Sequence, residues 1–161
     1  MLTEKEIYDI LSEILDPEIP VITIKDLGIL QCVEVSENGC VVYITPTYSG
    51  CPAMKMIEDQ IQEALAPHRI TSIKVKLIYS PAWTTDWISA EAKEKLRIYG
   101  IAPPEHSSVD KGCLIGKAKE LKCPLCNSKK TQMISQFGST ACKALYRCMD
   151  CKEPFDYFKC I

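Results

Sequence analysis

Histidine is scarce in this chain: His68 and His106 are the only two in 161 residues, and neither has a partner at metal-ligand spacing. A histidine-centred metal site or a histidine general base therefore has no support in the sequence. No apolar run approaches the roughly 20 residues needed to cross a bilayer, so no membrane association is expected. Met1-Leu2-Thr3-Glu4-Lys5-Glu6 lacks the basic start and apolar core of a secretory signal, and a cytoplasmic location is expected. There is no internal repeat and no low-complexity tract. Charge is also modest, with a net of −2 and 25% charged residues beside 47% hydrophobic ones. That balance excludes a disordered, collagen-like or coiled-coil chain and leaves a globular one.

Cysteine, by contrast, is abundant: ten residues, about 6% of the chain. Without a secretory signal, that number points to metal or redox chemistry rather than to a disulfide framework. The distribution is uneven. Residues 1–116 hold Cys32, Cys40, Cys51 and Cys113, and the remaining 45 hold Cys123, Cys126, Cys142, Cys148, Cys151 and Cys160. Charge divides at the same place, with −7 in 1–116 and +5 in 117–161. Two differently charged segments predict two domains.

The first segment reads as α-β-β-α-β-α. Thr3 and Glu6 match a helix capping box, and Ile7, Ile10, Leu11 and Ile14 follow at helical spacing until Asp16-Pro17. Two strand-forming runs flank Asn38-Gly39, a two-residue hairpin signal. Pro52 suits a first helical position, which places Cys51 at or near the N-cap of a helix reaching Leu65, with Met54, Ile57, Ile61 and Leu65 as its stripe. A third strand over 71–79 turns Ile73, Val75, Leu77 and Tyr79 to one side and Lys74 and Lys76 to the other. A last helix runs from about Ser89 to Tyr99 and stops at Gly100. Residues 101–120, with Pro103-Pro104 and two glycines, read as a linker. The expected architecture is α/β (α+β), with a compact domain over 1–100, the linker over 101–120 and a small four-cysteine module over 121–161.

In that module, Cys123-Pro124-Leu125-Cys126 and Cys148-Met149-Asp150-Cys151 are two C-x-x-C pairs. Two intervening residues let a tight turn aim both sulfurs at one ion, and two such turns complete a tetrahedron. Strand-forming runs at 131–137, 143–147 and 155–158 complete the plan of a zinc ribbon. Structural zinc contributes about 10–16 kcal/mol to small domains, and closed four-thiolate coordination leaves no open position for substrate. An iron–sulfur cluster would use the same four thiolates. Cys142 and Cys160 are surplus to one tetrahedral ion. A divalent ion on four thiolates leaves the segment at about +3, still basic.

Cys51 has a physical reason to be reactive, because helix N-terminal amides and the macrodipole stabilise a thiolate. A small buried residue at a helix start is the bland alternative. Asp16, Glu18 and Asp26 lie near the end of the first helix, where carboxylates either support a metal at a neighbouring thiolate or cap turns. Trp83 and Trp87 are either a docking surface or anchors of a long loop. Cys32 and Cys40 lie in strands, and Cys113 in the linker.

At these residues the chain becomes recognisable. Asp16-Pro17-Glu18-Ile19-Pro20, Asp26-Leu27-Gly28 and Thr45-Pro46-Thr47-Tyr48-Ser49-Gly50-Cys51-Pro52 resemble the small domain of SufT-like iron–sulfur assembly proteins. Pro81-Ala82-Trp83-Thr84-Thr85-Asp86-Trp87, Phe137-Gly138-Ser139-Thr140-Ala141-Cys142-Lys143 and Glu153-Pro154-Phe155-Asp156-Tyr157-Phe158-Lys159 resemble the phenylacetate-degradation protein D family, also named as the J subunit of the phenylacetyl-CoA oxygenase (1,2-epoxidase) system. The resemblance covers essentially the whole chain.

It implies an accessory or maturation role for that ring oxygenase in phenylacetate catabolism, through iron or iron–sulfur cluster delivery, rather than catalysis of epoxidation. The implied partners are the oxygenase and reductase components and the iron–sulfur assembly machinery. By the same carry-over, Cys51 is the cluster-transfer thiol, Cys123, Cys126, Cys148 and Cys151 are zinc ligands, and Cys142 is an extra thiol inside the family's own motif. Cys51 holding a cluster alone or across a homodimer are both open. A permanent structural subunit of the oxygenase is the alternative. A thiol enzyme at Cys51 lacks a second cysteine or a histidine base beside it. Nucleic-acid binding lacks a dense Lys/Arg patch.

Overall fold

The computed structural model describes residues 2–105 and 121–159. His106, Cys113, Cys160 and all but the first five residues of the expected linker lie outside the described residues. Two compact units divide the chain, Met1–Trp83 and Thr84–Ile161. The expected α+β architecture with a C-terminal four-cysteine region is present.

In the first unit the capping box forms. Thr3 Oγ1 accepts from the Glu6 N–H at 3.3 Å, and Glu6 Oε2 accepts from the Thr3 N–H at 2.8 Å. It opens α1 (Glu4–Leu11), which buries Ile7 and Leu11. The helix stops earlier than Asp16-Pro17. Ser12 donates its hydroxyl back to the Tyr8 carbonyl at 2.7 Å, a side-chain bond that competes with the helix ladder. The Asp16 N–H, which a helix continued to that point would direct at Ser12, donates to the Ile22 carbonyl at 2.9 Å instead.

The hairpin is β1 (Leu30–Ser36) and β2 (Gly39–Ile44), antiparallel. Its two-residue loop is Glu37-Asn38, one position before the expected Asn38-Gly39, and Gly39 pairs with Ser36. Gly39 is needed for a different reason. Its φ is +133°, and a Cβ there would sit 2.1 Å from the Ser72 carbonyl oxygen. The Cys40 N–H donates to that same oxygen at 2.8 Å. Glycine thus lets the chain entering the third strand approach the hairpin.

From β2 the chain crosses through α2 (Ala53–Leu65) to β3 (Ile73–Leu77), which lies parallel to β2. The sheet order β1-β2-β3 leaves β3 at an edge. Helix α2 buries the expected stripe of Met54, Ile57, Ile61 and Leu65, and Cys40, Val42 and Ile44 alternate as the buried residues of β2. The apolar side of β3 is only partly covered: Ile73 and Val75 are half-buried, whereas Leu77 is 43% exposed.

The second unit contains α3 (Ala90–Tyr99), N-capped by Ser89 and followed by Gly100, as its sequence predicts. By compactness this helix groups with the C-terminal residues, not with the sheet of the first unit. The next residues, Ile101 and Ala102, form β4, which pairs in parallel with β7 (Pro154–Phe158). The linker expected from 101 thus starts no earlier than Pro103. A two-residue strand has no period of its own, and only its partner reveals it. With β5 (Thr131–Ser135) and β6 (Lys143–Cys148) the sheet order is β4-β7-β6-β5. Among the described residues, one buried cluster of this unit packs Ala102, Leu121, Ala144, Tyr146, Phe155 and Tyr157 together with Cys123 and Cys148. Among the described residues, no helix is long and apolar enough to cross a membrane.

Gly39→Ala is expected to destabilise the first unit by about 2–3 kcal/mol, from a disfavoured φ together with the clash at Ser72. Chemical denaturation followed by circular dichroism reads this directly, and an unchanged midpoint would contradict the close approach.

Candidate metal centre and the Cys51 groove

Each C-x-x-C pair is built as the same turn. The Cys123 N–H donates to the Ser128 carbonyl at 2.9 Å, and the Cys148 N–H donates to the Glu153 carbonyl at 3.0 Å, five residues on in both cases. Immediately after the second cysteine of each pair, the backbone turns left-handed, at Asn127 with φ 61° and at Lys152 with φ 67°. Asn tolerates that conformation well, and its position after Cys126 was a usable signal in the sequence; Lys152 carries no such mark. Ser128 Oγ donates to Asp150 Oδ2 at 2.6 Å and ties the two turns together outside the sulfurs.

The two turns bring Cys123, Cys126, Cys148 and Cys151 together with all four sulfurs within 4.8 Å of one another. Cys123 Sγ lies 3.8 Å from Cys151 Sγ, and Cys126 Sγ lies 3.5 Å from Cys148 Sγ. A tetrahedral ion with metal–sulfur bonds of about 2.3 Å sets sulfur–sulfur edges of about 3.8 Å. The donor set and its spacing therefore fit a four-coordinate thiophilic metal.

The local fields explain why such a site needs a cation. Amides of Cys151 and Asp150 directed at the Cys148 sulfur pull its pKa down to about 6. At Cys151 the Glu153 amide also favours the thiolate. Burial and hydrogen bonding with Cys148, Cys126 and Cys123 outweigh it and push the thiol up to about 12. Burial raises Cys123 as well. Without a cation these thiols do not all ionise together near neutral pH, and metal binding must release their protons.

Cys142 stands apart from this set. It is buried just before β6, with its sulfur 3.0 Å from Thr140 Oγ1. The surrounding Phe137–Lys143 motif is fastened to β7: Lys143 Nζ donates to Ser139 Oγ at 3.1 Å, and that hydroxyl donates to Asp156 Oδ2 at 2.9 Å.

In the first unit, Cys51 follows Gly50 (φ 78°), and the N-cap of α2 is Pro52, so Cys51 sits one residue before the cap. It is 9% exposed. Its side chain lines the wall of a groove of about 420 Å³ together with Ile44, Pro52, Met54, Lys55, Glu58, Val75 and Leu77. The other walls of this groove come from β2, β3 and α2. These are residues the sequence marks only as core or surface.

Two of the carboxylates near α1, those of Asp16 and Asp26, serve turns. Asp16 Oδ1 accepts from the N–H groups of Glu18 and Ile19, both at 2.8 Å. Asp26 Oδ2 accepts from the Thr23 N–H at 3.2 Å, while Thr23 Oγ1 accepts from the Asp26 N–H at 3.0 Å. Among the described residues, Asp16, Glu18 and Asp26 do not join Cys51 in a cluster of metal-ligating groups. Trp83 is an anchor: it is buried and donates Nε1–H to the Leu27 carbonyl at 2.7 Å. Trp87 is half-buried, Cys32 is exposed on β1 and Cys40 is buried.

Together, the fold and the cysteine arrangements define a small α+β domain followed by a four-cysteine β-ribbon suited to a metal ion. Residues 4–77 match the family described as iron-sulfur cluster assembly protein, and residues 107–159 match the PaaD zinc beta ribbon domain. Over 97% of its length the chain is 53% identical to the D subunit of the "Putative 1,2-phenylacetyl-CoA epoxidase" of Escherichia coli (strain K12), covering 92% of that protein. The chain belongs to this family of phenylacetyl-CoA epoxidase D subunits. Its N-terminal part is also similar to the Fe-S protein maturation auxiliary factor SufT of Staphylococcus aureus (strain USA300), at 38% identity over 53% of this chain and 98% of that protein. The structure of a domain of unknown function, DUF59, from Bacillus anthracis is similar over 59% of this chain and 92% of that one, with a TM-score of 0.54 and 30% identity.

Replacing Cys123 or Cys148 by Ala should release the metal and open the ribbon to protease, and unchanged metal content by elemental analysis would refute the site. Because Cys123 and Cys151 hold their protons at neutral pH, a divalent ion displaces at least those two. Affinity should therefore rise by at least about a hundredfold per pH unit between pH 7 and 8 and fall on acidification. Competition with a chromophoric chelator measures the slope, and a flat profile would contradict the proton release.

Proposed function

We propose that this chain is a cytoplasmic accessory protein of a phenylacetyl-CoA epoxidase in aerobic phenylacetate catabolism, which helps deliver iron or an iron–sulfur cluster to that machinery. The observation that carries the reading is Cys51: one thiol lining an open groove, in a domain whose relatives are named Fe-S protein maturation auxiliary factors. The rest of the chain resembles an epoxidase component almost end to end. A single thiolate suits temporary holding, because cargo leaves it by exchange with the ligands of an acceptor. The partners on this reading are the oxygenase and reductase components and the general iron–sulfur assembly machinery.

The ribbon has a different part. Four cysteines supply four bonds and leave no coordination position for a substrate, so its metal is structural. Zinc is the ion that tetrahedral four-sulfur ribbons of this spacing take, and an iron–sulfur cluster is the competitor for the same thiolates. With its excess of lysine and arginine over acid, this module presents a basic surface to its partners.

A permanent structural subunit of the oxygenase is the second reading, favoured because the full-length relative in Escherichia coli is itself named as an epoxidase subunit. Purification of the complex separates the two, since a structural subunit remains at fixed stoichiometry and a maturation factor does not.

Cys51→Ser removes one sulfur and keeps the size of the side chain. It is expected to leave the thermal midpoint within a few degrees of the parent, and to lower recovery of epoxidase activity in cells about tenfold or more, with lower iron and acid-labile sulfide in the client. Full activity with normal iron content in that variant would remove Cys51 from the transfer.

A further inference from the structure

We propose that the free edge of β3, together with the groove beside Cys51, takes up an extended segment of the client protein in which apolar and acidic residues alternate. Strand β3 is the last in its sheet, and among the described residues no strand lies on its outer side. Such an edge offers a row of backbone donors and acceptors to another chain.

The side chains of β3 then decide what that chain must carry. Val75 and Leu77 line the groove with Cys51 and Met54. Lys74 and Lys76, the intervening residues, point to the opposite face and are exposed, with Lys76 Nζ 5.7 Å from the Tyr43 ring centroid. A strand laid alongside places its own alternating side chains on these same two faces. One set enters a groove of about 420 Å³ bordered by the 43%-exposed Leu77, and apolar side chains bury best there. The other set stands beside two ammonium groups, where carboxylates are favoured.

A second copy of this chain fits poorly. Pairing β3 with β3 sets lysine near lysine on one face, and like charges across a strand pair are destabilising. The lysines therefore guard against self-pairing while selecting an acidic partner. The inference rests on the accessory reading for calling the occupant a client. It adds the reason why that client segment would come to lie beside the Cys51 thiol.

The test uses the full-length protein and a fluorescein-labelled short peptide alternating valine and glutamate, with a valine–lysine peptide as control, read by fluorescence anisotropy without any cargo present. The valine–glutamate peptide should bind about tenfold tighter or more. The double substitution Lys74→Glu and Lys76→Glu should reverse the preference, and Leu77→Ser should weaken both peptides. Bound peptide should slow hydrogen exchange at the amides of 73–77. Equal binding of the two peptides, a preference unchanged by charge reversal, or unaltered exchange in β3 would each overturn the proposal. A concentration-dependent dimer protected at β3 without peptide would overturn it in favour of a second copy. Loss of peptide binding beside intact Cys51-dependent epoxidase recovery would discard the docking edge alone. Peptide binding beside an inert Cys51 would discard the transfer reading alone.

Discussion

The convergence of four sulfurs on one point is the constraint that the C-terminal unit depends on. Two of those sulfurs belong to Cys123 and Cys148, which also pack in the buried cluster formed with Ala144, Tyr146, Phe155 and Tyr157. The same side chains therefore both bury surface and offer metal ligands. The backbone is shaped to that end. Each turn ends in a left-handed residue, and each closes with an amide–carbonyl bond from the first cysteine to the residue five positions on. With Cys151 pushed up to about 12 and Cys148 down to about 6, the thiols ionise very unequally on their own. A cation makes them equivalent and thereby holds the two turns together.

The first unit places its thiol in the opposite kind of environment. Among the described residues, Cys51 belongs to no cluster of metal-ligating groups, and it lines a groove with residues of β2, β3 and α2. A four-sulfur site closes its coordination shell, whereas a lone thiol leaves one incomplete. The two segments of the sequence, 1–116 and 117–161, also carry opposite net charge, −7 and +5, which suits them to different partner surfaces.

Local chemistry made much of this legible in the sequence. The Thr3–Glu6 capping box, the Ser89 cap and the stripe of Met54, Ile57, Ile61 and Leu65 each depend on residues within a turn or two of one another, and each formed in place. The four metal-site cysteines were legible because a turn of fixed length imposes their spacing. What was misplaced depended on distant partners. Asn38-Gly39 looked like a turn, but Gly39 answers to the Ser72 carbonyl some thirty residues later. Ile101-Ala102 looked like linker until β7 lay beside it. Helix α1 ended early, and the Asp16 N–H that a longer helix would have directed at Ser12 donates to the Ile22 carbonyl instead.

By itself, then, the sequence determined the α+β class, the Thr3–Glu6 and Ser89 caps, the stripe of α2 and the grouping of four cysteines, all products of short-range geometry and of spacing along the chain. The tertiary structure alone decided that the Cys51 thiol lines a groove, that Asp16 and Asp26 cap turns, that Cys142 stands outside the metal set, and that β3 is an edge. The reason is physical: exposure, an open wall and an unpaired strand edge are properties of what packs against a residue, and the residues that pack against it are separated from it in the chain.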